Sequence, residues 1–531
     1  MEITKHKKTK LSVCALAFGF FTAASALAAS ISEGDNLGKF QGAPENYASG
    51  DVFVEITGGK VSDQFAGGSL TGQQIDGNVK IEMTGGDMAT WLIGGNVYSS
   101  KDGSFGGVSG NIDISVTGGK VFSIRGGHSL MNVDHVDGAP HRDTMTVSGN
   151  VSIYVGGNTV VTGDNDKEAI LGAGGSQSSV KGDVSITIDG NASVSGAIYG
   201  GAARTVKDPT KYAADSVDDL TDGVRNTFVT VKGGTINGDI YGGAQKHSSV
   251  GGDTNVTIEG GSINGNVYAG GGSSMTLVRG NATVTISGGT FAGGAVIDGC
   301  AGTVEGTSVL NIVNTGATAG TTIQNFDKVV VSGTSSFTIG TVAGGVTVTA
   351  FGGTLEGTQF TAGTVANVSA DEFGAISQEN QNVAANTSVT ISQKSDTVTL
   401  STASTAITVA KAESLDTGTV SVSEIGAVVL SAWSFEIANS DADVMVTLDV
   451  GQDVALDSIR VYHEENGDWT DVTDQVGNIV SKNGKVSFTT NKFSGYAVAA
   501  VPSIPEPSTF GLLAGLAALA LAGTRRRRKK A

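Results

Sequence analysis

The stretches GDTNVTIEGG at residues 252–261 and GNATVTISGG at residues 280–289 decide the fold. Each begins with Gly and an Asp or Asn, alternates aliphatic with polar residues, and ends in Gly-Gly. The pattern occurs eight times, and its Asp or Asn positions are Asp51, Asn78, Asn111, Asn150, Asp183, Asn226, Asp253 and Asn281. Successive copies lie 27, 33, 39, 33, 43, 27 and 28 residues apart, which indicates a unit of about 27 residues with insertions in the longer copies.

Each unit contains a second apolar pair after its main strand. The clearest examples are Ile198-Tyr199, Ile240-Tyr241 and Val267-Tyr268. Alternation of apolar and polar residues is typical of strands, and the glycines between them suit turns that need positive φ. We therefore predict two short strands per unit.

A unit this small cannot bury its own apolar face, so neighbouring units must stack. Stacking places Val256 and Ile258 over Val229 and Val231 of the preceding unit. We expect the Asp and Asn side chains to form a hydrogen-bonded ladder along the stack. The fold predicted for residues 30–302 is an all-β parallel β-solenoid, or β-helix, of about eight repeats. The spacing also resembles the Gly-rich repeats of secreted adhesins and autotransporter passenger domains. A β-propeller is the alternative, but its blades need four strands in about 40 residues.

The repeat fades after residue 302. Residues 303–405 are rich in Val and Thr and still alternate, so we expect them to extend or cap the solenoid. Residues 406–501 differ in character and read as a small antiparallel β-sandwich. Their motifs, among them FSGYAV at residues 493–498, resemble stalk modules of bacterial surface proteins, which usually space or present other domains.

The N-terminus predicts export. Residues 1–29 combine a basic start, an apolar stretch and the small-residue finish ASALAAS. This is the three-part layout of a secretory signal peptide, with cleavage expected near Ala28 or Ala29. Sec-type export machinery is therefore an expected partner.

The C-terminus, IPEPSTFGLLAGLAALALAGTRRRRKKA at residues 504–531, contains three different signals. Residues 510–523 form an uncharged apolar run of about 21 Å as a helix, short for a hydrocarbon core of about 30 Å. Pro505, Glu506 and Pro507 precede it and stiffen the chain. Six basic residues follow and favour a cytoplasmic end: Arg525, Arg526, Arg527, Arg528, Lys529 and Lys530. We predict a short transmembrane helix that suits a transient inner-membrane intermediate.

This order of motif, apolar helix and basic tail resembles the PEP-CTERM sorting signal of Gram-negative bacteria. The resemblance covers about 28 residues and implies recognition by an exosortase, a membrane-embedded cysteine protease. The resemblance further implies that the exosortase removes the tail and passes the body to the surface or the extracellular matrix. The alternative is an ordinary C-terminal anchor that is never cleaved.

Composition and motifs limit the chemistry. The 531 residues include 79 Gly and carry a formal net charge of −18 at pH 7, so no nucleic-acid partner is expected. The group closest to a metal-ligand cluster is Asp134, His135, Asp137 and His141, within one insertion. A solvated loop is the preferred interpretation, so neither a metal nor another cofactor is expected.

These observations predict a non-enzymatic, exported cell-surface or extracellular-matrix protein with a structural or adhesive role. Its final location would be the cell surface, the outer membrane or the matrix. The expected ligand is an exopolysaccharide or a host surface molecule. The alternative is a polysaccharide-binding or polysaccharide-degrading β-helix protein. It is not preferred, because polysaccharide-degrading enzymes need clustered carboxylates and the outward strand positions do not supply them.

Overall fold

A computed structural model describes residues 27–502 with gaps, together with Leu516. The gaps are 48, 99–105, 131–144, 164–167, 177, 206–215, 333–335, 338, 344–345, 352–353, 356–358, 361–364, 371–380, 384, 386–387, 394–395, 404 and 439–441. The chain divides into two compact units, Met1–Asn382 and Val383–Ala531. The first is all-β with parallel pairing, and the second pairs antiparallel, which confirms the predicted all-β class.

The first unit is a stack of parallel strands, called here the parallel stack. Its long row holds the strands of the repeat motif, each hydrogen-bonded to the same strand of the next turn. In chain order this row is Leu27–Ile31, Val52–Ile56, Val79–Met83, Ile112–Val116, Val151–Val155, Val184–Ile188, Thr227–Val231, Thr254–Ile258, Ala282–Ile286, Ser308–Val313, Lys328–Ser332, Thr347–Phe351 and Val365–Ala370.

The remaining strands of the parallel stack form further rows. In the first turns, one strand covers both the second and the third row: Asn36–Gln41, Lys60–Ala66, Asp87–Ile93 and Lys120–Arg125. The second row then continues as Val160–Val161, Ser193–Val194, Thr235–Ile236, Ser262–Ile263 and Thr290–Phe291. The third row continues as Glu168–Leu171, Ala197–Tyr199, Ile240–Tyr241, Val267–Tyr268, Val296–Asp298, Thr322–Gln324, Thr341–Val342 and Gln359–Phe360.

A fourth row closes each turn: Met145–Val147, Ser178–Val180, Asp222–Val224, Ser248–Val250, Thr276–Val278 and Thr303–Val304. Additional short strands are Val97–Tyr98, Ser129–Leu130, Gly174–Ser176, Ala202–Arg204, Ser336–Phe337, Thr354–Leu355 and Gln381–Val383, and Val217–Asp219 is a 3-10 helix. The gaps at 99–105, 131–144 and 206–215 follow three of these short strands, whereas the gap at 164–167 separates a second-row strand from a third-row strand.

The prediction of two strands per unit is wrong. The turn that starts at Thr227 has four: Thr227–Val231, Thr235–Ile236, Ile240–Tyr241 and Ser248–Val250. Strands of two or three residues leave too little alternation to be recognised in a sequence. The third-row pairs Ile240–Tyr241 and Val267–Tyr268 do lie in register, as the repeat predicts.

The core of the parallel stack runs along its axis. Val229 pairs with Val256 and Val231 with Ile258, and each of these side chains is at most 1% exposed. Inward positions alternate with half-exposed polar ones such as Thr230, as the pleat requires. The predicted stacking of these residues is therefore confirmed.

Glycine occupies most of the positions where the turns approach most closely, although Ala269 takes this position one turn after Gly242. A Cβ atom at one corner position would lie 2.0–2.4 Å from a carbonyl oxygen of the next turn, and this position is occupied by Gly42, Gly67, Gly94, Gly126, Gly172, Gly200 and Gly242. The second glycine of the repeat adopts left-handed backbone, for example Gly261 at φ 84°. The high glycine content thus follows from the spacing of stacked turns.

The turns shorten toward the end of the parallel stack. Thr254 pairs with Ala282, 28 residues later, whereas Lys328 pairs with Thr347, 19 residues later. The parallel strands therefore continue at least to Val365–Ala370. The shorter turns have lost the fourth row, whose last described strand is Thr303–Val304.

The second unit consists of two antiparallel sheets. One has the order Ser388–Gln393, Asp396–Thr402, Val444–Asp449, Lys485–Thr490 and Gly477–Lys482. The other has the order Ile407–Ser414, Val428–Ala438, Gly495–Ala500, Ile459–Glu465 and Asp468–Asp471. Two 3-10 helices, Thr417–Thr419 and Leu456–Ser458, lie between strands. The sheets face each other around Phe488 and Tyr496, whose ring centroids are 5.2 Å apart.

This unit begins earlier than the sequence boundary at 405/406. Ser388–Gln393 and Asp396–Thr402 pair antiparallel with each other, and the second also pairs with Val444–Asp449. Alternating Val and Thr satisfy either kind of sheet, so composition does not reveal the change from parallel to antiparallel pairing.

Candidate functional site

The Asp and Asn residues of the repeat line one edge of the parallel stack. Each side-chain oxygen accepts a hydrogen bond from the backbone N–H of the equivalent residue one turn on. For example, Asn78 Oδ1 accepts from Asn111 N at 2.8 Å, and Asn226 Oδ1 accepts from Asp253 N at 2.8 Å. The same bond links Asp51 to Asn78, Asn111 to Asn150, Asn150 to Asp183, and Asp253 to Asn281. We call this series the polar ladder.

One rung of the polar ladder carries a charge pair. Arg225 stands where the other units have Gly, and its Nε and Nη2 lie 2.8 and 2.7 Å from the two carboxylate oxygens of Asp183. Asn226 Nδ2 also donates to Asp183 Oδ1, at 2.9 Å. The hydrogen bond from Arg225 holds the pKa of Asp183 below its ordinary value. The ladder stabilises the interface between turns, and this pair reinforces it at one rung.

A second polar line lies outside the third row, and we call it the lateral cluster: Trp91, Arg125, Glu168, Gln245 and Tyr199. The Arg125 guanidinium stacks 3.7 Å from the centroid of the Trp91 ring. Arg125 Nη2 is 3.2 Å from Glu168 Oε2, and both side chains are largely buried. Gln245 Nε2 donates to the other oxygen of Glu168. The lateral cluster thus links side chains of successive turns through charge and stacking.

Tyrosines continue this line. Tyr199, Tyr241 and Tyr268 occupy one register position, with ring centroids 4.6 and 4.5 Å apart. Tyr241 OH donates to Asp239 Oδ2 at 3.0 Å. Burial, with the charge of Glu168 as a lesser cause, raises the pKa of Tyr199 to about 12. The phenol groups therefore stay protonated at neutral pH and can donate hydrogen bonds.

Sequence reasoning did not identify Trp91, Arg125, Glu168 or Gln245. Trp91, Arg125 and Glu168 lie in units with insertions, where the repeat offers no alignment, and Gln245 lies in a 27-residue unit but outside the repeat motif. The register of the third row carried the only available signal. Arg125 pairs with Leu171, which pairs with Tyr199, so a charged residue takes a position that is apolar or aromatic in the next two turns.

In the second unit, a buried histidine joins two strands. His463 Nε2 is 2.8 Å from Ser494 Oγ, and Ser494 Oγ also donates to the Glu464 carbonyl. Because a serine has one proton, Ser494 accepts from the Nε2–H of His463. Burial lowers the pKa of His463, while the Glu465 carboxylate, 3.5 Å from Nδ1, opposes this. This arrangement fixes the strands Ile459–Glu465 and Gly495–Ala500 to each other.

Several predicted residues lie outside the described part of the chain. These are Asp134, His135, Asp137 and His141, the motif Pro505, Glu506 and Pro507, the apolar run 510–523 except Leu516, and the basic residues from Arg525 to Lys530. Within the described ranges, no group of three or more His, Cys, Asp or Glu side chains is placed to hold a metal ion. No helix in that part of the chain has the length and apolarity required to cross a membrane.

Comparison with known proteins gives one match. No curated protein and no solved structure matches the chain significantly. Residues 503–528 match the family model described as the PEP-CTERM protein-sorting motif. The chain therefore carries a PEP-CTERM sorting motif at its C-terminus, which implies an exported protein that an exosortase processes and sorts to the cell surface.

Proposed function

We propose that the protein is a structural or adhesive component of the cell surface or extracellular matrix. The observation that carries the proposal is the parallel stack on a chain with a sorting motif. Twelve long-row strands in the described part of the chain follow the expected cleavage site, and at about 4.8 Å spacing they extend over about 53 Å. Continuous ladders of backbone and side-chain hydrogen bonds make such a stack stiff, which suits a spacer or a presenting surface.

Delivery follows from the order of the signals. In our proposal, Sec-type machinery exports the body, the apolar run 510–523 holds it in the inner membrane, and the exosortase cuts near Pro505. The six basic residues keep the tail cytoplasmic until that step. The body then reaches the surface without the tail.

Mass spectrometry of the mature C-terminus from surface-fractionated cells tests this route. We expect a surface form that ends near the motif, and a full-length form confined to the inner membrane when Glu506→Ala blocks recognition. Ser508→Ala is the matched control and should be processed normally. An intact basic tail on the surface form of the unmodified chain would refute sorting by cleavage.

A second candidate function, exopolysaccharide binding, is favoured by the lateral cluster and its tyrosines. Half-exposed phenol edges beside Glu168 and Asp239 offer donors and acceptors along several turns, as an extended glycan requires. Affinity electrophoresis in gels that contain the exopolysaccharide of the producing cells tests it. Tyr268→Ala should abolish retardation, whereas Tyr154→Ala, on the long row, should not. Equal retardation of both variants and the unmodified chain would exclude the tyrosines as the binding site.

A further inference from the structure

Exposed apolar side chains gather where the second unit ends. Ile425 is 101% exposed, Val428 61% and Leu456 60%, values far above those of neighbouring strand residues. The described chain leaves this unit at Pro502, which is also exposed. Ile425, Val428, Leu456 and Pro502 are called here the exit patch.

Contacts of their neighbours show that the exit patch is contiguous. A Cβ atom on Gly426 would lie 3.2 Å from Pro502 Cγ. Val428 pairs with Ala500, two residues before Pro502. Val501 N donates to Ser458 O at 2.8 Å, and Ser458 ends the 3-10 helix that begins with Leu456. Three separate segments thus place their apolar side chains around the point where the chain departs.

The charges close to the exit patch are acidic on balance. Arg460 Nε lies 3.0 Å from Glu424 Oε1, and Arg460 Nη1 donates to the Asp457 carbonyl at 2.9 Å. Arg460 Nε also lies 3.8 Å from Asp471 Oδ2, so one cation serves two carboxylates, and among the described residues no ion pair with the Asp457 carboxylate is seen. Attraction to a partner must therefore come from apolar burial, and an anionic surface gains nothing from charge.

The length of chain beyond Pro502 decides what the exit patch faces. Seven residues, 503–509, separate it from the apolar run at 510–523. Fully extended, seven residues reach about 24 Å. While the apolar run is in the bilayer, the exit patch is therefore held close to the lipid surface, where exposed Ile, Val and Leu side chains gain free energy by entering the interface.

We propose that the exit patch docks on the lipid bilayer surface while the C-terminal segment holds the chain in the membrane. The proposal rests on the membrane-held intermediate of the proposed function. Docking orients the second unit and presents the Pro505-Glu506-Pro507 segment at the membrane surface, where a membrane-embedded protease acts.

Depth-dependent fluorescence quenching of the full chain tests the docking. The chain is reconstituted into vesicles of phosphatidylethanolamine and phosphatidylglycerol that carry a doxyl quencher near the headgroup. Ile425→Trp is the reporter. Met445→Trp is the control, because Met445 is 43% exposed on the other sheet and pairs with Thr489, toward the opposite end of the strands. The signal of the unmodified chain, with its native tryptophans, is subtracted from both.

We expect the doxyl lipid to quench Ile425→Trp about twofold or more over Met445→Trp, because interfacial side chains sit about 5–10 Å into the headgroup boundary. Added salt should not weaken this difference, since salt screens only the repulsion between the carboxylates near the exit patch and the anionic lipid. Adding Leu456→Asp to the reporter should remove the difference.

Vesicle flotation separates the two hypotheses. If the chain floats but both reporters are quenched equally and weakly by the lipid, the membrane-held intermediate stands and the docking is wrong. If the new indole of the Ile425→Trp variant is shielded from aqueous acrylamide only after exosortase is added, the exit patch binds protein and the lipid proposal is also overturned. If the chain does not float, the membrane-held intermediate itself fails.

Discussion

The polar ladder is open to a direct energetic test at Asn226. Asn226→Ala removes two hydrogen bonds: the one its Oδ1 accepts from Asp253 N at 2.8 Å, and the one its Nδ2 donates to Asp183 at 2.9 Å. A hydrogen bond contributes about 1 kcal/mol net, and water replaces part of it at an exposed edge. We therefore expect the free energy of opening the turn of Asn226 from its neighbours, which hold Asp183 and Asp253, to fall by about 1–2 kcal/mol.

Hydrogen exchange measured by mass spectrometry is the suitable assay, because a repeat stack opens locally and need not unfold in one step. A loss of about 1–2 kcal/mol corresponds to about 5–30-fold faster exchange of the amides in Thr254–Ile258 and of Asp253. Thr230→Val, on the outer face of a strand in the same turn, is the matched control and should change opening by less than about 0.5 kcal/mol.

Asn226→Asp sharpens this test. The new carboxylate still accepts from Asp253 N but faces the Asp183 carboxylate in place of an amide donor. Like charges at this distance repel, so we expect faster exchange than in the Ala variant at pH 7 and partial recovery below about pH 4, where carboxylates are protonated. Unchanged exchange at Asp253 in the Ala variant would refute the idea that the ladder stabilises the stack.

Three further perturbations follow from the same interfaces. Arg225→Gln should remove the acid sensitivity of this rung in hydrogen exchange measured from pH 7 to 2. Because the pKa of Asp183 is depressed in the folded state, the Arg225–Asp183 pair stabilises the stack above the unfolded pKa, and this stabilisation is lost as pH falls through the folded pKa. An unchanged acid profile would contradict this role of the pair. Gly242→Ala should lower the free energy of unfolding by about 1–3 kcal/mol in thermal denaturation, because its Cβ would lie 2.2 Å from the Ala269 carbonyl oxygen. The control Ala269→Gly should lower it by less than about 1 kcal/mol. Equal effects of the two variants would disprove the close approach. Tyr199→Phe should remove an ionisation near pH 12 from the ultraviolet titration, and stability tied to the raised pKa, present below the unfolded value near 10, should no longer fall as pH rises through that range. Loss of an ionisation near pH 10 in its place would count against the burial of Tyr199.

The sequence predicted what repeats and missed what does not. The register of Val256 on Val229 and the equivalent positions of the ladder residues follow from a fixed spacing, which needs no knowledge of distant contacts. The lateral cluster joins Trp91, Arg125 and Glu168 through units of unequal length, so no spacing aligns them. The strands Ser388–Gln393 and Asp396–Thr402 were placed with the wrong unit, because Val and Thr alternate alike in parallel and antiparallel sheets.

Glycine and the polar ladder together explain how one stack tolerates units of such different length. Corner glycines such as Gly200 and Gly242 let adjacent turns approach until a backbone carbonyl lies where a Cβ would stand. The ladder fixes the register at the start of the long strand, since each rung joins a side chain to the backbone of the next turn. The corner glycines lie beside the same end, where Thr227 Oγ1 donates to the Gly242 carbonyl at 2.6 Å. With the start of that strand fixed in every turn, units of different length still place their long-row strands in register.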